Sequence, residues 1–224
     1  MLAIIPNVQE LSDQQVINRV LNGETSLYEI VVRRYNQRIY RVARAILRDD
    51  SEAEDVMQDA YVRAYKSLNT FQGKSSFATW LARIAVNEAI QRKRKSQRMD
   101  PIEDGDRVMQ LAARGESPEQ IYGREELGAI LEHAIAALPG HFRIVVMLRE
   151  VEEMTTAETA AALELSAENV RIRLHRGRAL LRKLLAGKAG LPARGAYAFH
   201  LSRCDRVVAN VFAALHGGPV SRIA

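Results

Sequence analysis

Hydrophobic positions recur along this chain at spacings of three and four residues, which is the period of an amphipathic helix. The pattern divides into two helical blocks, at about residues 10–97 and 124–186. No persistent alternation of apolar and polar residues predicts a strand, and no glycine-rich turn joins two β-branched runs. The sequence therefore predicts an all-α protein with two small helical domains.

Residues 98–123, between the two blocks, combine proline and glycine with clustered acidic residues. This composition predicts an acidic linker that is partly helical at about residues 108–113. Residues 187–224 form a C-terminal extension, in which glycines precede a short predicted tail helix at about 199–215. We expect this helix to dock on the rest of the protein, and most readily on the second block, because a large apolar face is costly to leave in water. The docked helix would either restrain binding to a partner until it is displaced or serve only to stabilise the fold.

An acidic run marks the first block. Residues 49–59 contain six acidic residues and no basic one. In the helix that follows, Asp55, Gln58 and Asp59 fall opposite the apolar stripe at 100° per residue, together with Val62. This face is either a solvated helix start, where acids suit the macrodipole, or a surface for a partner.

A stretch of opposite charge follows in the same block. Residues 71–76 predict a loop, and Ser75 or Ser76 can cap a helix that begins near Phe77. Residues 91–98, at the end of that helix, contain five basic residues and no acid. Such a surface suits contacts with nucleic-acid phosphates and capture of an unstacked base. The alternatives are cations that complement the helix C-terminus and a tryptophan, Trp80, that belongs to the core.

The second block has the pattern of a helix-turn-helix. Thr155 and Glu158 form a predicted capping box, residues 164–166 a short turn, and Ser166 the cap of a second helix. That helix is aliphatic on one side and arginine-rich on the other, as is typical of a helix that enters a DNA major groove. An ordinary helical hairpin with a solvated arginine face is the alternative.

Composition narrows the classes of function. The chain has 224 residues, a net charge of +5, 47% hydrophobic residues and one cysteine, so it can form a core but no intramolecular disulfide. The lone cysteine favours a reducing compartment, and the absence of a signal peptide and of a membrane-length apolar run favours the cytoplasm.

Candidate chemistry is sparse. The sequence contains no phosphate-binding loop, no paired-cysteine motif and no convincing catalytic set, so we expect neither an enzyme nor a bound cofactor. His200 and Cys204 have a ligand-like spacing, but two ligands do not close a zinc site. We therefore expect no metal and a buried Cys204.

Both blocks, in this order, resemble the extracytoplasmic-function (ECF) sigma factors of bacterial RNA polymerase. The resemblance rests on the sequences at positions 53–61, 71–73 and 76–87 in the first block and 138–139, 158–160 and 169–178 in the second. It covers about residues 10–186 and implies that the first block is sigma region 2 and the second is sigma region 4. The string in the first block is specific, whereas many regulators share the helix-turn-helix.

The resemblance implies an alternative sigma factor with three macromolecular partners: core RNA polymerase, promoter DNA and an anti-sigma factor. Region 2 would dock on the clamp helices of the β′ subunit through Asp55, Gln58 and Asp59, and region 4 on the β flap. The −10 element would be read by Phe71, Lys74, Ser75, Trp80, Arg83, Asn87, Arg92 and Arg94. The −35 element would be read by Arg171, Ile172, His175, Arg176 and Arg178.

Several residues depart from the family pattern. Glu164 replaces the usual glycine of the helix-turn-helix turn, and Thr159 and Gly177 replace the commoner isoleucine and alanine, which we expect to loosen packing slightly. Arg173 lies nearest the apolar stripe, so we expect it to pair internally. Two other functions remain open at this point: a dimeric helix-turn-helix regulator that does not join the polymerase, and an interaction module that binds no DNA.

Overall fold

The computed structural model describes residues 11–99, 124–185 and 201–217, and all regular structure in these ranges is helical. The first block forms α1 (Asp13–Leu21), α2 (Tyr28–Leu47), α3 (Asp50–Lys66) and α4 (Phe77–Met99). The second block forms α5 (Arg124–Ala136), α6 (Gly140–Val146), α7 (Thr156–Leu163) and α8 (Ala167–Leu184), and the tail forms α9 (Leu201–Leu215). One-turn 3₁₀ segments occur at Thr25–Leu27 and Leu68–Thr70, and a π-helical turn, which the sequence pattern does not predict, at Met147–Val151.

The all-α prediction is confirmed. The domain limits remain predictions, and most of the predicted acidic linker, with its helical stretch at 108–113, lies outside the described residues. No helix among those the structure describes is both long enough and apolar enough to cross a membrane.

Polar side chains fix where the helices begin. Ser76 starts α4, because its hydroxyl accepts a hydrogen bond from the Thr79 backbone N–H at 3.2 Å. The predicted capping box of α7 is present, with reciprocal hydrogen bonds between Thr155 and Glu158. Each cap satisfies a backbone N–H that the first helical turn leaves without a partner, so these side chains set the register of both helices.

The core of the first block lies where α2, α3 and α4 meet. Its largest side chains include Tyr28 and Tyr61, which are fully buried. The Tyr28 hydroxyl donates to the Tyr61 carbonyl at 2.8 Å, and the Tyr61 hydroxyl to the Val32 carbonyl at 3.2 Å. Burial raises the pKa of both phenols far above the ordinary value, so the two hydroxyls stay neutral donors and tie α2 to α3.

In the second block, α7 and α8 form the predicted helix-turn-helix and α6 packs beneath α8. A Cβ atom on Gly177 would lie 2.7 Å from Cγ2 of Val146, closer than real contacts allow. The expectation that Gly177 loosens the packing is therefore wrong, because glycine here permits a close approach of α8 to α6. Glu164, in the turn, adopts a left-handed conformation with φ of 54°.

The two blocks pack against each other through apolar side chains, which form one continuous hydrophobic cluster, and through polar contacts. Glu152, with 5% of its side chain exposed, binds Arg38 at 2.9 Å and Arg41 at 3.2 Å. Arg143 of the second block, also buried, donates to the Ala45 carbonyl of the first block at 2.5 Å. It also donates to the Leu138 carbonyl of its own block at 2.9 Å. The interface therefore combines a shared apolar core with buried ion pairs and hydrogen bonds.

The tail helix docks on the first block. α9 packs against α2 and α3, with Val207 and Val211 fully buried. The expectation that it docks on the second block is therefore wrong. Its apolar face is as predicted. Helical periodicity does not reveal the arginine–carboxylate pairs that join α9 to α2 and α3 of the first block.

Candidate nucleic-acid interface

The outward face of α8 is exposed along its length, and the opposite face is the one that packs on the rest of the second block. Val170 and Leu174 are buried and anchor the helix. The exposed side chains include all the residues predicted to read duplex DNA: Arg171, Ile172, His175, Arg176 and Arg178. This face thus presents cations and one large apolar side chain, Ile172, which is 42% exposed.

Two of these arginines are engaged by carboxylates. Arg171 pairs with Glu168 at 3.3 Å on the same helix, and Arg178 pairs with Glu150 at 2.7 Å. Both pairs lie at the surface, where an ion pair is worth less than about 1 kcal/mol, so a DNA phosphate or base can displace them. Arg173 is half-buried and lines a cavity of about 350 Å³ between the two blocks.

Three aromatic rings gather at the start of α4. Phe71, Phe77 and Trp80 have ring centroids 5.3 to 5.6 Å apart, the geometry of favourable tilted and edge-to-face contacts. Phe77 is buried, whereas Phe71 and Trp80 are half-buried against the core. Lys74 and Ser75, in the loop beside them, are exposed. The cluster therefore supplies a rigid aromatic edge next to an accessible polar loop.

Helix α7 covers part of this surface. The Glu158 carboxylate accepts hydrogen bonds from Thr79 at 2.9 Å and Ser76 at 3.2 Å, and Arg83 pairs with Glu164 at 2.8 Å. Hydrogen bonds from Thr155, foremost from its backbone N–H, and from the Thr79 and Ser76 hydroxyls lower the pKa of Glu158. Asn87, further along α4, is half-buried. The helix predicted to read single-stranded DNA is thus partly closed by the helix-turn-helix domain.

The acidic face of α3 is less exposed than its helical pattern implies. Of the three predicted polymerase-binding residues, Asp59 has 62% of its side chain exposed, Asp55 has 27%, and Gln58 is buried. Val62, expected to be exposed among the acids, packs instead against the core. The sequence correctly places the acids on one helix, but neighbouring elements cover part of that face.

Arg92, predicted to contact DNA phosphates, lies against these acids. Its guanidinium binds Glu52, Asp55 at 2.7 Å and Asp59 at 3.6 Å. The hydrogen bond with Glu52 raises the pKa of Arg92 above its ordinary value. Arg94, two residues later, is exposed and faces solvent. The structure therefore brings Arg92 to the acidic helix and leaves Arg94 accessible.

Cys204 is buried, as predicted. Its sulfur accepts a hydrogen bond from the Asn36 side-chain amide at 2.7 Å, within the contact of α9 with α2. His200 lies outside the described residues. Among the residues that the structure does describe, no group of three or more acidic, histidine or cysteine side chains could hold a metal ion.

Comparison with known proteins explains the combination of an acidic helix, an aromatic loop and a helix-turn-helix. Residues 31–99 match the model of sigma-70 region 2, and residues 128–181 match that of sigma-70 region 4. The chain is 32% identical to the ECF RNA polymerase sigma factor SigW of Bacillus subtilis over 79% of its own length and 98% of SigW. The chain belongs to the ECF sigma factor family.

Other relatives and solved structures are similar to this sigma factor. It is 32% identical to the RNA polymerase sigma-H factor of Pseudomonas aeruginosa over 77% of this chain and 93% of that protein. The structure of CnrH in complex with the cytosolic domain of CnrY matches with a TM-score of 0.56, 24% identity and coverage of 79% and 99% of the two chains. The structure of the sigma factor RpoE in complex with the anti-sigma factor NepR from Bartonella quintana matches with a TM-score of 0.52 and 21% identity. This match covers 76% of this chain and 99% of RpoE.

The family membership establishes the function. This ECF sigma factor is an alternative sigma factor, which directs promoter-specific transcription initiation by RNA polymerase. A helix-turn-helix regulator that acts without the polymerase is not favoured, because such a protein has no need of region 2. The sequence did not reveal that Glu152 and Glu158 of the second block bind side chains of the first block. A glutamate that caps a helix and one that contacts a distant segment cannot be told apart by sequence pattern.

Proposed function

We propose that this sigma factor docks on the clamp helices of the β′ subunit through the edge of α3 formed by Asp55, Gln58 and Asp59, and on the β flap through region 4. Asp59 supports this role because most of its side chain is exposed and it extends a field of acidic residues along the helix. Arg92 then acts as an organiser of this edge, since it holds three carboxylates that would otherwise repel one another.

Region 4 reads the duplex −35 element through Arg171, Ile172, His175, Arg176 and Arg178. The observation that carries this proposal is the exposure of this whole face, while Val170 and Leu174 on the other face are buried. A helix that packs on its domain with one face and presents cations on the other can enter the major groove. There, each base pair presents a distinct pattern of hydrogen-bond donors and acceptors.

Region 2 reads the −10 element as a single strand. Lys74, Ser75 and Arg94 are accessible for backbone contacts, and Phe71 with Trp80 forms the aromatic edge beside which an extruded base can stack. Arg83 and Asn87 complete the surface once α7 moves away from α4. The 24 residues between Met99 and Arg124 could span at most about 80 Å, so the linker length allows the two reading surfaces to separate along a promoter.

The sigma factor performs no chemistry of its own in this proposal, needs no cofactor and acts in the cytoplasm. We propose further that an anti-sigma factor controls it. Support comes from RpoE, whose structure was solved in complex with the anti-sigma factor NepR and which shares this fold.

A core-binding titration tests the docking proposal. Asp59→Asn removes one exposed carboxylate and should weaken binding to core RNA polymerase by about tenfold, as expected for a charge at an interface. Glu24→Gln is the matched control, because Glu24 is also an exposed carboxylate paired with an arginine, Arg19, but lies between α1 and α2. Equal affinity of both variants and the parent protein would contradict a role for Asp59.

A further inference from the structure

The docked tail helix hides part of the acidic helix. Glu54 is only 2% exposed, although it lies in the acidic run of α3 and next to Asp55. Gln58, one turn further along the same face, is 8% exposed. Two side chains that would otherwise belong to the polymerase-facing edge are therefore withdrawn from solvent in this conformation.

The charges of α9 match those of α3. Arg206 binds one carboxylate oxygen of Glu54 at 2.5 Å, and Arg203 lies 3.4 Å from the other. Arg203 also lies 3.9 Å from the carboxylate of Asp50, at the start of α3. A buried carboxylate is strongly unfavourable unless cations and hydrogen bonds compensate it, so Glu54 requires a cationic partner wherever it is buried.

Contacts with α2 hold α9 in one position. Arg33 pairs with Asp205 at 2.7 Å, and the Asn36 amide donates to the Cys204 sulfur at 2.7 Å. Val207 and Val211 fill the groove below them. α9 therefore meets α3 as a specific partner helix would, with an apolar stripe and an arginine pair in register with a carboxylate.

We propose that α9 occupies, within the same chain, part of the surface on which core RNA polymerase docks, and that it must leave before a stable holoenzyme forms. A polymerase cation would then take the place of Arg203 and Arg206 beside Glu54. This inference rests on the proposed docking of α3 on the polymerase. Its basis is the pairing of Glu54 with two arginines of α9, a segment that lies outside both matched sigma regions, together with the burial of Gln58 on the same face of α3.

Cys204 reports directly on the position of α9, because it is the only cysteine of the chain and is buried in the docked state. The experiment is alkylation of the full-length protein with iodoacetamide, with and without saturating core polymerase, read by mass spectrometry of the Cys204 peptide. Release of α9 should raise the alkylation rate by roughly tenfold or more on core binding. An unchanged rate in a sample that has bound core would overturn the inference, and it would leave the docking proposal standing.

A pair of variants tests the competition itself. Arg203→Gln with Arg206→Gln leaves Glu54 without its cations and should release α9, so the apparent affinity for core should rise by roughly tenfold, because a larger fraction of molecules is competent to bind. Arg19→Gln with Lys66→Gln removes two exposed cations elsewhere, on α1 and at the end of α3, and should have no such effect. Equal affinity of both double variants contradicts competition, whereas failure of every form to bind core contradicts the proposed docking instead.

Discussion

Arg83 of α4 and Glu164 of the helix-turn-helix turn form an ion pair of 2.8 Å that joins region 2 to region 4. Glu164 holds a backbone conformation, φ of 54°, that favours glycine. Both side chains are more than half exposed, so the pair adds little to stability. The glutamate therefore costs the turn about 1 kcal/mol of backbone strain and supplies a contact between the domains.

Glu164→Gly should relieve the strain and release the contact together. We expect the free energy of unfolding to stay level or to rise by up to about 1 kcal/mol, and the thermal midpoint to follow it. Glu164→Gln is the control, because it removes the charge and keeps the strain. A clear loss of stability in the glycine variant would show that the ion pair outweighs the strain.

The Glu158 carboxylate makes stability depend on pH. Its pKa is lowered in the folded protein, so the stabilisation that it provides is complete above its ordinary pKa of 4.5 and is lost as the pH falls through the lower folded value. Glu158→Gln keeps a capping geometry but cannot ionise, so it should flatten the pH dependence of unfolding below about pH 5. Urea unfolding at a series of pH values measures this slope. Identical slopes for variant and parent would exclude Glu158 as a source of the dependence.

Thr159 should be a weak point of α7. It is fully buried, and its hydroxyl has no hydrogen-bond partner among the described residues. A buried hydroxyl without a partner costs about 1 to 3 kcal/mol, so Thr159→Val should stabilise the protein by about 1 kcal/mol and raise the thermal midpoint. Thr156→Val, on the same helix but half-exposed, should change stability by less than about 0.5 kcal/mol. A destabilised Thr159→Val variant would mean that the hydroxyl does find a partner.

Much of the fold follows from local sequence. The spacing of apolar residues identifies α3, α4 and α8, and the caps at Ser76, Thr155 and Ser166 place three helix starts correctly. These features depend on neighbours within one helical turn, which a sequence pattern records directly.

Contacts between distant segments could not be read from the sequence in the same way. Periodicity gives α9 an apolar face but not the groove that receives it, and nothing local links Arg206 to Glu54, which lies 152 positions earlier. For the same reason the helical pattern places Gln58 on an exposed face, whereas the structure buries it, and the pattern does not reveal that Arg92 binds the acids of α3. Complementary charge across long sequence separations is the information that was missing.

Arg176 gives the sharpest test of promoter reading. Its side chain is exposed on the outward face of α8, so Arg176→Ala should leave the fold intact. If Arg176 contacts a base with two hydrogen bonds, affinity for the −35 duplex should fall by about 1 to 3 kcal/mol and specificity should relax at one base pair. Lys183→Ala, exposed nearer the end of the same helix, is the control. An equal loss across all −35 variants would indicate a phosphate contact instead.

Run-off transcription with purified core RNA polymerase tests the central claim most directly. The full-length protein is added to core on a library of promoter fragments, and transcript 5′ ends are sequenced, with core alone as the control. We predict initiation from a subset of templates that share two upstream elements at a fixed spacing. Absence of any transcript above core alone, from protein that is folded by circular dichroism, would contradict the assignment of this chain as a sigma factor that directs transcription initiation.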